Sequence, residues 1–305
     1  MVRDAAAPVA GPGQVLVRTH TVGVNFIDTY RRSGVYPVSL PFIPGEEASG
    51  VVEAVGAGVE SLAVGDRVTT AEAAATYAEF FAAAAAGVVR IPDELPLDIA
   101  GAMPLQGLTA HYLSTSSSNP QPGDTVIVHA GAGGVGLLLT QLLSARGVRV
   151  LTTVSTPEKA QLSRAAGAAE VLSYDDFRER SRELTGGEGV SVVYDGVGKT
   201  TFDDSLASLR IRGTMVLFGG ASGQVPPFDL QRLNTSGSLT VTRPNMWNFL
   251  LTPEERAWRY GDLFEAIRSG TLHIRIGARF PLADAAKAHA ALEGRGTTGK
   301  VILEA

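Results

Sequence analysis

Residues 124–136 read DTVIVHAGAGGVG and form the most informative segment of the chain. Its apolar run ends abruptly in Gly131, Gly133 and Gly136, which have the GxGxxG spacing of a dinucleotide-binding turn. In such a turn the first glycine allows a tight turn out of the strand, the second lets the backbone approach a pyrophosphate, and the third lets the next helix pack closely. The phosphates would lie at the N-terminus of that helix, where free N–H groups and the helix dipole favour negative charge.

The glycine spacing alone is a weak signal, because the chain contains 35 glycines. Its context strengthens it, since Val126, Ile127 and Val128 precede the turn and leucines follow at helical spacing. The sequence therefore predicts a strand, a nucleotide-binding turn that includes Gly134 and Val135, and a helix. An ordinary glycine-rich connection is the alternative.

Further short β-branched runs follow the turn, and helical segments separate most of them. They cover residues 148–154, 169–174, 190–196, 213–220 and 238–242. This alternation is typical of a doubly wound parallel sheet, here with six strands. We expect residues 109–242 to form one Rossmann-type domain.

The flanking segments have a different pattern, in which strands are broken by glycine and proline turns. The predicted strands cover residues 14–25, 48–56, 66–70 and 300–305, as in a mostly antiparallel β domain. A capping-box pair, Thr252 and Glu255, predicts a helix that Gly270 ends. Residues 1–108 and 243–305 should form one discontinuous domain that leaves a cleft against the other. The alanine-rich stretch 71–87 gives no prediction.

Composition excludes several classes of function. The 305 residues are enough for two domains, and the formal net charge of −5 with scattered basic residues argues against partners such as nucleic acid or an anionic membrane. The absence of cysteine excludes disulfides, thiolate zinc sites and a cysteine nucleophile. No apolar run approaches the roughly 18 residues of a membrane span, and residues 1–13 lack the apolar core of a secretory signal, so we expect a cytoplasmic protein.

Seven motifs in order carry a family resemblance. They are NFIDTYRRSGVYP (25–37), PGEEASG (44–50), GDRV (65–68), GLTAHYL (107–113), HAGAGGVG (129–136), VVYDGVG (192–198) and SLTVTRP (238–244). Together they resemble the zinc-free quinone oxidoreductases, the zeta-crystallin-like branch of the medium-chain dehydrogenases/reductases, and especially the bacterial NADPH-dependent enzymes. The resemblance implies a GroES-like catalytic domain interrupted by a Rossmann domain. It also implies hydride transfer from NADPH to a quinone without a metal, and a homodimer paired through the strand at residues 238–242.

Two departures from the wider superfamily bear on these expectations. Zinc alcohol dehydrogenases hold their metal with a cysteine and with the histidine of a GHE segment, whereas this chain has Asn25 and Glu46 at those positions. We therefore expect no metal; the remaining alternative is a site of carboxylates with some of the five histidines, which show no metal-ligand spacing. Family members also have further residues before the first strand, so we expect the N-terminal strands to be truncated.

The resemblance also assigns candidate site residues. Asn25, Tyr30 and Tyr36 match polar residues that face the nicotinamide and the acceptor, while Asp28 is expected to hold the loop. The alternative for Tyr30 is a buried tyrosine whose hydroxyl bonds to backbone. On the cofactor side, the matching residues are Thr109, Phe218, Gly219, Val241, Thr242, Arg243, Pro244 and Arg295. The two arginines could instead be solvated surface charges.

The second strand of the Rossmann pattern predicts NADPH rather than NADH. NAD-specific domains place a carboxylate at the end of this strand to bind the ribose 2′-hydroxyl, whereas this chain has Ser155 there. In the family, residues at the positions of Lys159 and Tyr174 hold the 2′-phosphate. Glu158 is the competing signal, and we interpret it as a charge at the start of the next helix.

Two other functions stay open at this point. The first is an NADPH-dependent reductase of enones or enoyl thioesters, because the walls of the acceptor pocket, not the cofactor motif, decide that choice. The second is a non-enzymatic NADPH-binding protein, as in lens crystallins of this family, some of which resemble RNA-binding proteins. The acidic net charge argues against RNA.

Overall fold

A computed structural model describes residues 3–305, which form two compact units. The first contains the chain up to Gln106 together with Ile274–Ala305, and the second is Gly107–His273.

The strands are β1 (Gln14–Val24), β2 (Ala48–Val55), β3 (Arg67–Thr70), β4 (Phe80–Ala84), β5 (Val89–Arg90), β6 (Thr125–Val128), β7 (Arg149–Thr153), β8 (Glu170–Leu172), β9 (Val190–Asp195), β10 (Leu209–Leu217), β11 (Thr240–Thr242), β12 (Ile276–Pro281) and β13 (Lys300–Glu304). The helices are α1 (Phe26–Arg32), α2 (Leu97–Ala102), α3 (Pro104–Tyr112), α4 (Gly134–Ala145), α5 (Pro157–Ala165), α6 (Phe177–Leu184), α7 (Phe202–Ser208), α8 (Gln231–Thr235), α9 (Pro253–Arg268) and α10 (Ala285–Glu293). Short 3-10 turns and one π-helical turn, Leu113–Ser117, complete the list.

The first unit is built on a mixed sheet of seven strands, in the order β12-β13-β1-β2-β3-β5, with β4 also pairing with β1. All of its pairs are antiparallel except β12 with β13. In the long strand β1, the alternate residues Val15, Val17, Thr19 and Thr21 are buried, as expected when one face of a sheet packs inward. The sequence predicted neither β4 nor β12. Alanine has a weak preference for strands, so in β4 the buried Phe81 and its pairing with Val17 carry the strand instead.

The second unit is a parallel sheet of six strands, in the order β11-β10-β9-β6-β7-β8. This confirms the predicted Rossmann-type fold. The chain moves outward from β6 through β7 to β8, then returns to the other side of β6 and moves through β9 and β10 to β11. The strand order therefore reverses between β6 and β9, and ligands of such sheets bind beside the carboxyl ends of the strands at this point.

Residues 243–273, which the sequence analysis assigned to the discontinuous domain, lie in the second unit. Helix α9 explains the difference. It begins as predicted, with the Thr252 hydroxyl accepting from the Glu255 amide at 3.1 Å. Its Arg259 is buried in the second unit, where it donates to the Phe249 carbonyl at 2.7 Å and to His111 Nδ1 at 3.1 Å. Among residues 3–305, no helix has both the length and the apolar composition that crossing a membrane would require.

Candidate functional site

The glycine turn joins β6 to α4, and two of its glycines are required by packing within the protein. A Cβ atom at Gly131 would lie 2.5 Å from Cβ of Thr152, and one at Gly136 would collide with the carbonyl oxygen of Ala130. The Gly131 amide donates to the Thr153 carbonyl at 3.0 Å, which ties the turn to β7. These contacts explain the first and third glycines of the motif.

Gly133 is different, because only atoms of Ala130 lie within 4 Å of a Cβ placed there, the nearest at 3.1 Å. Its φ of −77° is accessible to any residue. Gly133 is the N-cap of α4, no side chain caps that helix, and its first turn contains no acidic residue. The backbone here is therefore open to a group from outside the protein, and a phosphate fits the N–H groups and the helix dipole.

A buried polar network, for which no role was predicted from the sequence, supports the turn from below. His129 contacts the Thr153 hydroxyl through Nδ1 at 2.8 Å and the Ser205 hydroxyl through Nε2 at 2.9 Å. Ser205 donates to Asp195 Oδ2 at 3.0 Å, while Oδ1 accepts from the amides of Val197 and Gly198. Burial lowers the pKa of His129, so the imidazole is neutral. The network holds the ends of β6, β7 and β9 together. The motifs HAGAGGVG and VVYDGVG contained these residues, but their pairing depends on the fold.

The residues predicted to bind the 2′-phosphate lie beyond β7 and β8. Lys159 Nζ is 3.4 Å from the Ser155 hydroxyl, and the Tyr174 hydroxyl accepts from the Ala130 amide at 3.0 Å. The parallel strands therefore bring these residues to the edge that carries the glycine turn. Glu158 is exposed in the first turn of α5, and hydrogen bonds from its own backbone amide and from Thr156 lower its pKa.

Other predicted cofactor residues follow β10 and β11 at the same edge. Both Phe218 and Gly219 donate their amides to the Asp195 carbonyl, at 2.9 and 3.3 Å. Val241 and Thr242 belong to β11, and Pro244 follows it after Arg243, whose Nη1 donates to the Leu217 carbonyl at 3.1 Å. Thr109, on α3, contacts Sδ of Met246 at 3.7 Å. Arg295 lies in the first unit, two residues after α10, with a φ of +57°.

The predicted catalytic tyrosines lie together in the first unit. The rings of Tyr30, on α1, and Tyr36 meet edge to face with centroids 5.6 Å apart, and the Tyr36 amide donates to the Tyr30 carbonyl at 3.2 Å. Tyr36 is 38% exposed. The structure thus brings two phenols to one place on the surface of this unit.

Asn25 lies in a buried ionic cluster, with its hydrogen-bonding groups already occupied. Its amide nitrogen donates to Glu47 Oε2 at 2.7 Å and to the Gly23 carbonyl at 3.4 Å. Its oxygen accepts from Lys300 Nζ at 2.8 Å and from Gln106 at 3.4 Å. Lys300 and Glu47 form an ion pair, and both are buried. This geometry favours Asn25 as a residue that positions the start of α1 over one that binds an acceptor directly.

Asp28 lies in α1 and begins a hydrogen-bonded chain. Its Oδ2 accepts from the backbone amide of Asn25 at 2.9 Å and from the Tyr77 hydroxyl at 3.1 Å. The Tyr77 oxygen is 3.0 Å from Nε2 of His289, whose Nδ1 is 3.1 Å from an Arg32 nitrogen. Arginine only donates, so Nδ1 accepts and the proton of the neutral imidazole is on Nε2. Burial raises the pKa of Asp28 to about 6.

Glu46, which stands where the zinc enzymes have a metal-binding histidine, forms an ion pair with Arg31. Glu46 Oε1 is 2.5 Å from Nη2 of Arg31. In the part of the chain that the structure describes, no group of three or more histidine, cysteine, aspartate or glutamate residues is arranged to hold a metal ion. Burial raises the pKa of Glu46, while Arg31 opposes that shift.

Comparisons with known proteins agree with this architecture. The alcohol dehydrogenase GroES-like domain family matches residues 11–116, and the zinc-binding dehydrogenase family matches residues 134–255. A quinone oxidoreductase of Pseudomonas aeruginosa is 44% identical over 99% of this chain and 94% of its own length. A 2-haloacrylate reductase of a Burkholderia species is 41% identical over 96% and 91%. A mycobacterial protein solved in complex with NADPH is 53% identical, with a TM-score of 0.97 over 99% of this chain and 95% of that one. The chain therefore belongs to the quinone oxidoreductases of the medium-chain dehydrogenase/reductase family.

Proposed function

We propose that this chain is an NADPH-dependent quinone oxidoreductase. The observation that carries the proposal is the edge of the parallel sheet, where the open backbone at Gly133 and the side chains of Ser155, Lys159 and Tyr174 follow neighbouring strands. This arrangement suits a dinucleotide with a 2′-phosphate. The mycobacterial relative of the same fold was solved with NADPH, and the Pseudomonas relative is named a quinone oxidoreductase.

NADPH, when bound, supplies a hydride, and the residues of the chain bind and orient the cofactor. The N-terminus of α4 would hold the pyrophosphate, and Lys159 would form a charge-assisted bond with the 2′-phosphate. Phe218, Gly219, Val241 and Thr242 would line the other half of the dinucleotide, together with Thr109, Arg243, Pro244 and Arg295.

On the acceptor side, we assign Tyr36 and Tyr30 as hydrogen-bond donors to a quinone oxygen. Such donors stabilise the negative charge that develops on that oxygen when the hydride arrives. A proton from water completes the hydroquinone. Asn25 would act indirectly, by holding the first turn of α1 through its bonds to Glu47 and Lys300. No step requires a metal.

A second candidate function is the reduction of conjugated carbonyl compounds. It is favoured by one observation, the Burkholderia relative named for its action on 2-haloacrylate. The two candidates share the cofactor site and differ in the acceptor, so a screen of acceptors separates them.

The test is a steady-state screen with NADPH and NADH in parallel, on enzyme dialysed against EDTA. The acceptors are 1,2-naphthoquinone, 9,10-phenanthrenequinone, small enones and crotonyl-CoA. We expect the highest kcat/KM with NADPH and a quinone. A higher value with an enone would favour the second function, and loss of activity that zinc restores would contradict the metal-free mechanism. Inactivity with every acceptor despite NADPH binding would favour the non-enzymatic alternative.

Three further expectations complete the proposal. The protein should be a homodimer that pairs through β11, an edge strand of its sheet. It should bind neither nucleic acid nor membranes, and a salt-dependent shift of RNA in a gel would contradict this. We also expect it in the cytoplasm.

A further inference from the structure

Asp195 sets the direction of the hydrogen bonds in the buried network below the glycine turn. It accepts from two backbone amides at Oδ1 and from the hydroxyls of Thr201 and Ser205 at Oδ2, the latter two at 2.7 and 3.0 Å. Four donors fill the acceptor positions of an ionised carboxylate. The proton of the Ser205 hydroxyl is therefore directed at Asp195.

This direction fixes the tautomer and the orientation of His129. Because Ser205 donates to Asp195, its oxygen accepts from the Nε2–H group of His129 at 2.9 Å. Nδ1 then carries no proton and accepts from the Thr153 hydroxyl at 2.8 Å. His129 is 1% exposed, so rotating the ring would leave buried polar atoms without partners, which is destabilising. The imidazole is therefore held in one position through both of its nitrogens.

Two aromatic rings pack against this imidazole. Phe177 meets it edge to face, with centroids 4.8 Å apart, and is itself buried. Tyr174 lies nearly parallel to it, at 22° and with centroids 6.0 Å apart, which is the offset arrangement that aromatic pairs favour. Tyr174 is half-buried, so it connects the buried imidazole to the surface of the unit.

The backbone that follows His129 holds the same tyrosine at its hydroxyl. Ala130 has a φ of +54°, in the left-handed region that favours glycine, and such a conformation persists only where its surroundings fix it. Its amide donates to the Tyr174 hydroxyl at 3.0 Å, and its carbonyl accepts from the Gly133 amide at 2.8 Å. The ring and the hydroxyl of Tyr174 are thus held by two consecutive residues, His129 and Ala130.

We propose that His129 is a positioning residue for the 2′-phosphate end of NADPH, and that it acts by holding Tyr174 from the buried side. This inference rests on the proposed function, in which Tyr174 and Lys159 belong to the site of the 2′-phosphate. NADH has no phosphate at this place. A residue that acts through Tyr174 should therefore affect the binding of NADPH and leave NADH nearly unchanged, whereas a residue that only stabilises the fold should affect both cofactors alike.

The test compares the dissociation constants of NADPH and NADH, measured by fluorescence titration. His129→Gln keeps one donor and one acceptor for the network but removes the ring against which Tyr174 packs. The control is the same substitution at His111, which is also buried in this unit and is bound through both nitrogens, by Arg259 at 3.1 Å and Asp262 at 2.9 Å. Tyr174→Phe, alone and combined with His129→Gln, completes a double-mutant cycle.

We expect the wild type and His111→Gln to have the same ratio of the two dissociation constants. His129→Gln should reduce the preference for NADPH about fivefold, as part of the effect of a charge-assisted bond to phosphate is lost. Tyr174→Phe should reduce this preference about tenfold, and adding His129→Gln to Tyr174→Phe should change it by less than about twofold. Circular dichroism shows which variants fold.

The inference is overturned if a folded His129→Gln or Tyr174→Phe keeps the wild-type preference, or if His129→Gln has the same effect with and without the Tyr174 hydroxyl. An equal fall in His111→Gln would also overturn it, because the effect would then come from the stability of the fold. If His129→Gln fails to fold, Ser205→Ala decides. It removes one of the bonds that hold the imidazole and should reduce the preference about threefold, and an unchanged preference overturns the inference. A wild type that binds NADH as tightly as NADPH would instead contradict the proposed function.

Discussion

At the scale of single residues, Lys159 offers a direct test of cofactor choice. Its ammonium group lies 3.4 Å from the Ser155 hydroxyl at the end of β7. A charge-assisted bond to phosphate contributes about 1.5 to 3 kcal/mol, so Lys159→Ala should weaken NADPH binding about tenfold to a hundredfold and leave NADH nearly unchanged. Fluorescence titration with both cofactors measures this. Glu158→Gln, which changes the neighbouring exposed residue, is the control, and an equal loss for both cofactors in Lys159→Ala would contradict the assignment.

The Tyr36 hydroxyl is the proposed donor to the acceptor oxygen. Tyr36→Phe removes this donor and keeps the ring that packs against Tyr30. We expect kcat with quinones to fall about tenfold to a hundredfold, the range for one lost general acid or oxyanion donor, with little change in the affinity for NADPH. Unchanged turnover with every accepted quinone would mean that Tyr36 has only a packing role.

Asp28 should make the stability of the protein depend on pH. Burial raises its pKa in the folded state from 3.8 to about 6, so between these values the folded state binds more protons than the unfolded state. The destabilising effect of the buried charge is therefore absent well below pH 3.8, grows as the pH rises between the two values, and is fully present above about pH 6. Asp28→Asn keeps an oxygen that can accept both hydrogen bonds. Relative to this variant, the free energy of unfolding of the wild type should fall by up to about 3 kcal/mol between pH 4 and 7.

Urea unfolding at several pH values measures that difference in free energy. Asp66→Asn is the contrasting variant, because Asp66 is only partly buried and a hydrogen bond from the Ala63 amide lowers its pKa. The stability difference between the wild type and Asp66→Asn should not fall as the pH rises. A flat difference between the wild type and Asp28→Asn over this range would show that the buried carboxylate does not titrate as expected.

At the scale of elements, the two glycines near the start of α4 should respond differently to alanine. A Cβ at Gly136 would collide with the Ala130 carbonyl, which is rigid backbone, so Gly136→Ala should lower the melting temperature by several degrees. Gly133→Ala meets only Ala130 at 3.1 Å, so it should fold with nearly wild-type stability but bind NADPH at least tenfold more weakly. Thermal unfolding with and without NADPH separates the two effects. A fully active Gly133→Ala would contradict the role of the open backbone.

The elements that could be predicted from the sequence are those whose local pattern matches their final environment. Strands that are buried on both faces, such as β6 and β9, can be recognised as largely apolar runs. The N-terminal cap of α9 can be recognised as well, because it is formed by residues close together in sequence. Strand β4 was missed because pairing with β1, not its own alanine-rich sequence, makes it a strand. The burial of Arg259 in the second unit was not predictable either, because it depends on partners far away in sequence.

Some residues of the candidate site could likewise be predicted from the sequence, and others could not. The glycine turn and Ser155 follow strands directly, so sequence spacing was enough to place them. The cluster of Asn25, Glu47 and Lys300 joins residues up to 275 positions apart, and no spacing rule connects them. The packing of Tyr174 against His129 is likewise visible only in three dimensions.

At the scale of the whole molecule, the proposed homodimer depends on the outer edge of β11. Within the described chain β11 pairs only with β10, so the sheet ends in a strand whose outer edge is a template for a second copy. Symmetric pairing of this edge would give a closed dimer. Light scattering at micromolar concentration should therefore give twice the chain mass of 31.8 kDa.

A charge on this edge should prevent the pairing. Thr240 is exposed in β11, so Thr240→Lys should leave the fold intact and shift the protein to monomers, because each copy would bring an added positive charge to the strand that is proposed to pair. Val64→Lys, at an exposed position of the first unit, is the matched control and should stay dimeric. Circular dichroism checks that both variants fold. A monomeric wild type would contradict the dimer, whereas a dimeric Thr240→Lys would place the contact on another surface.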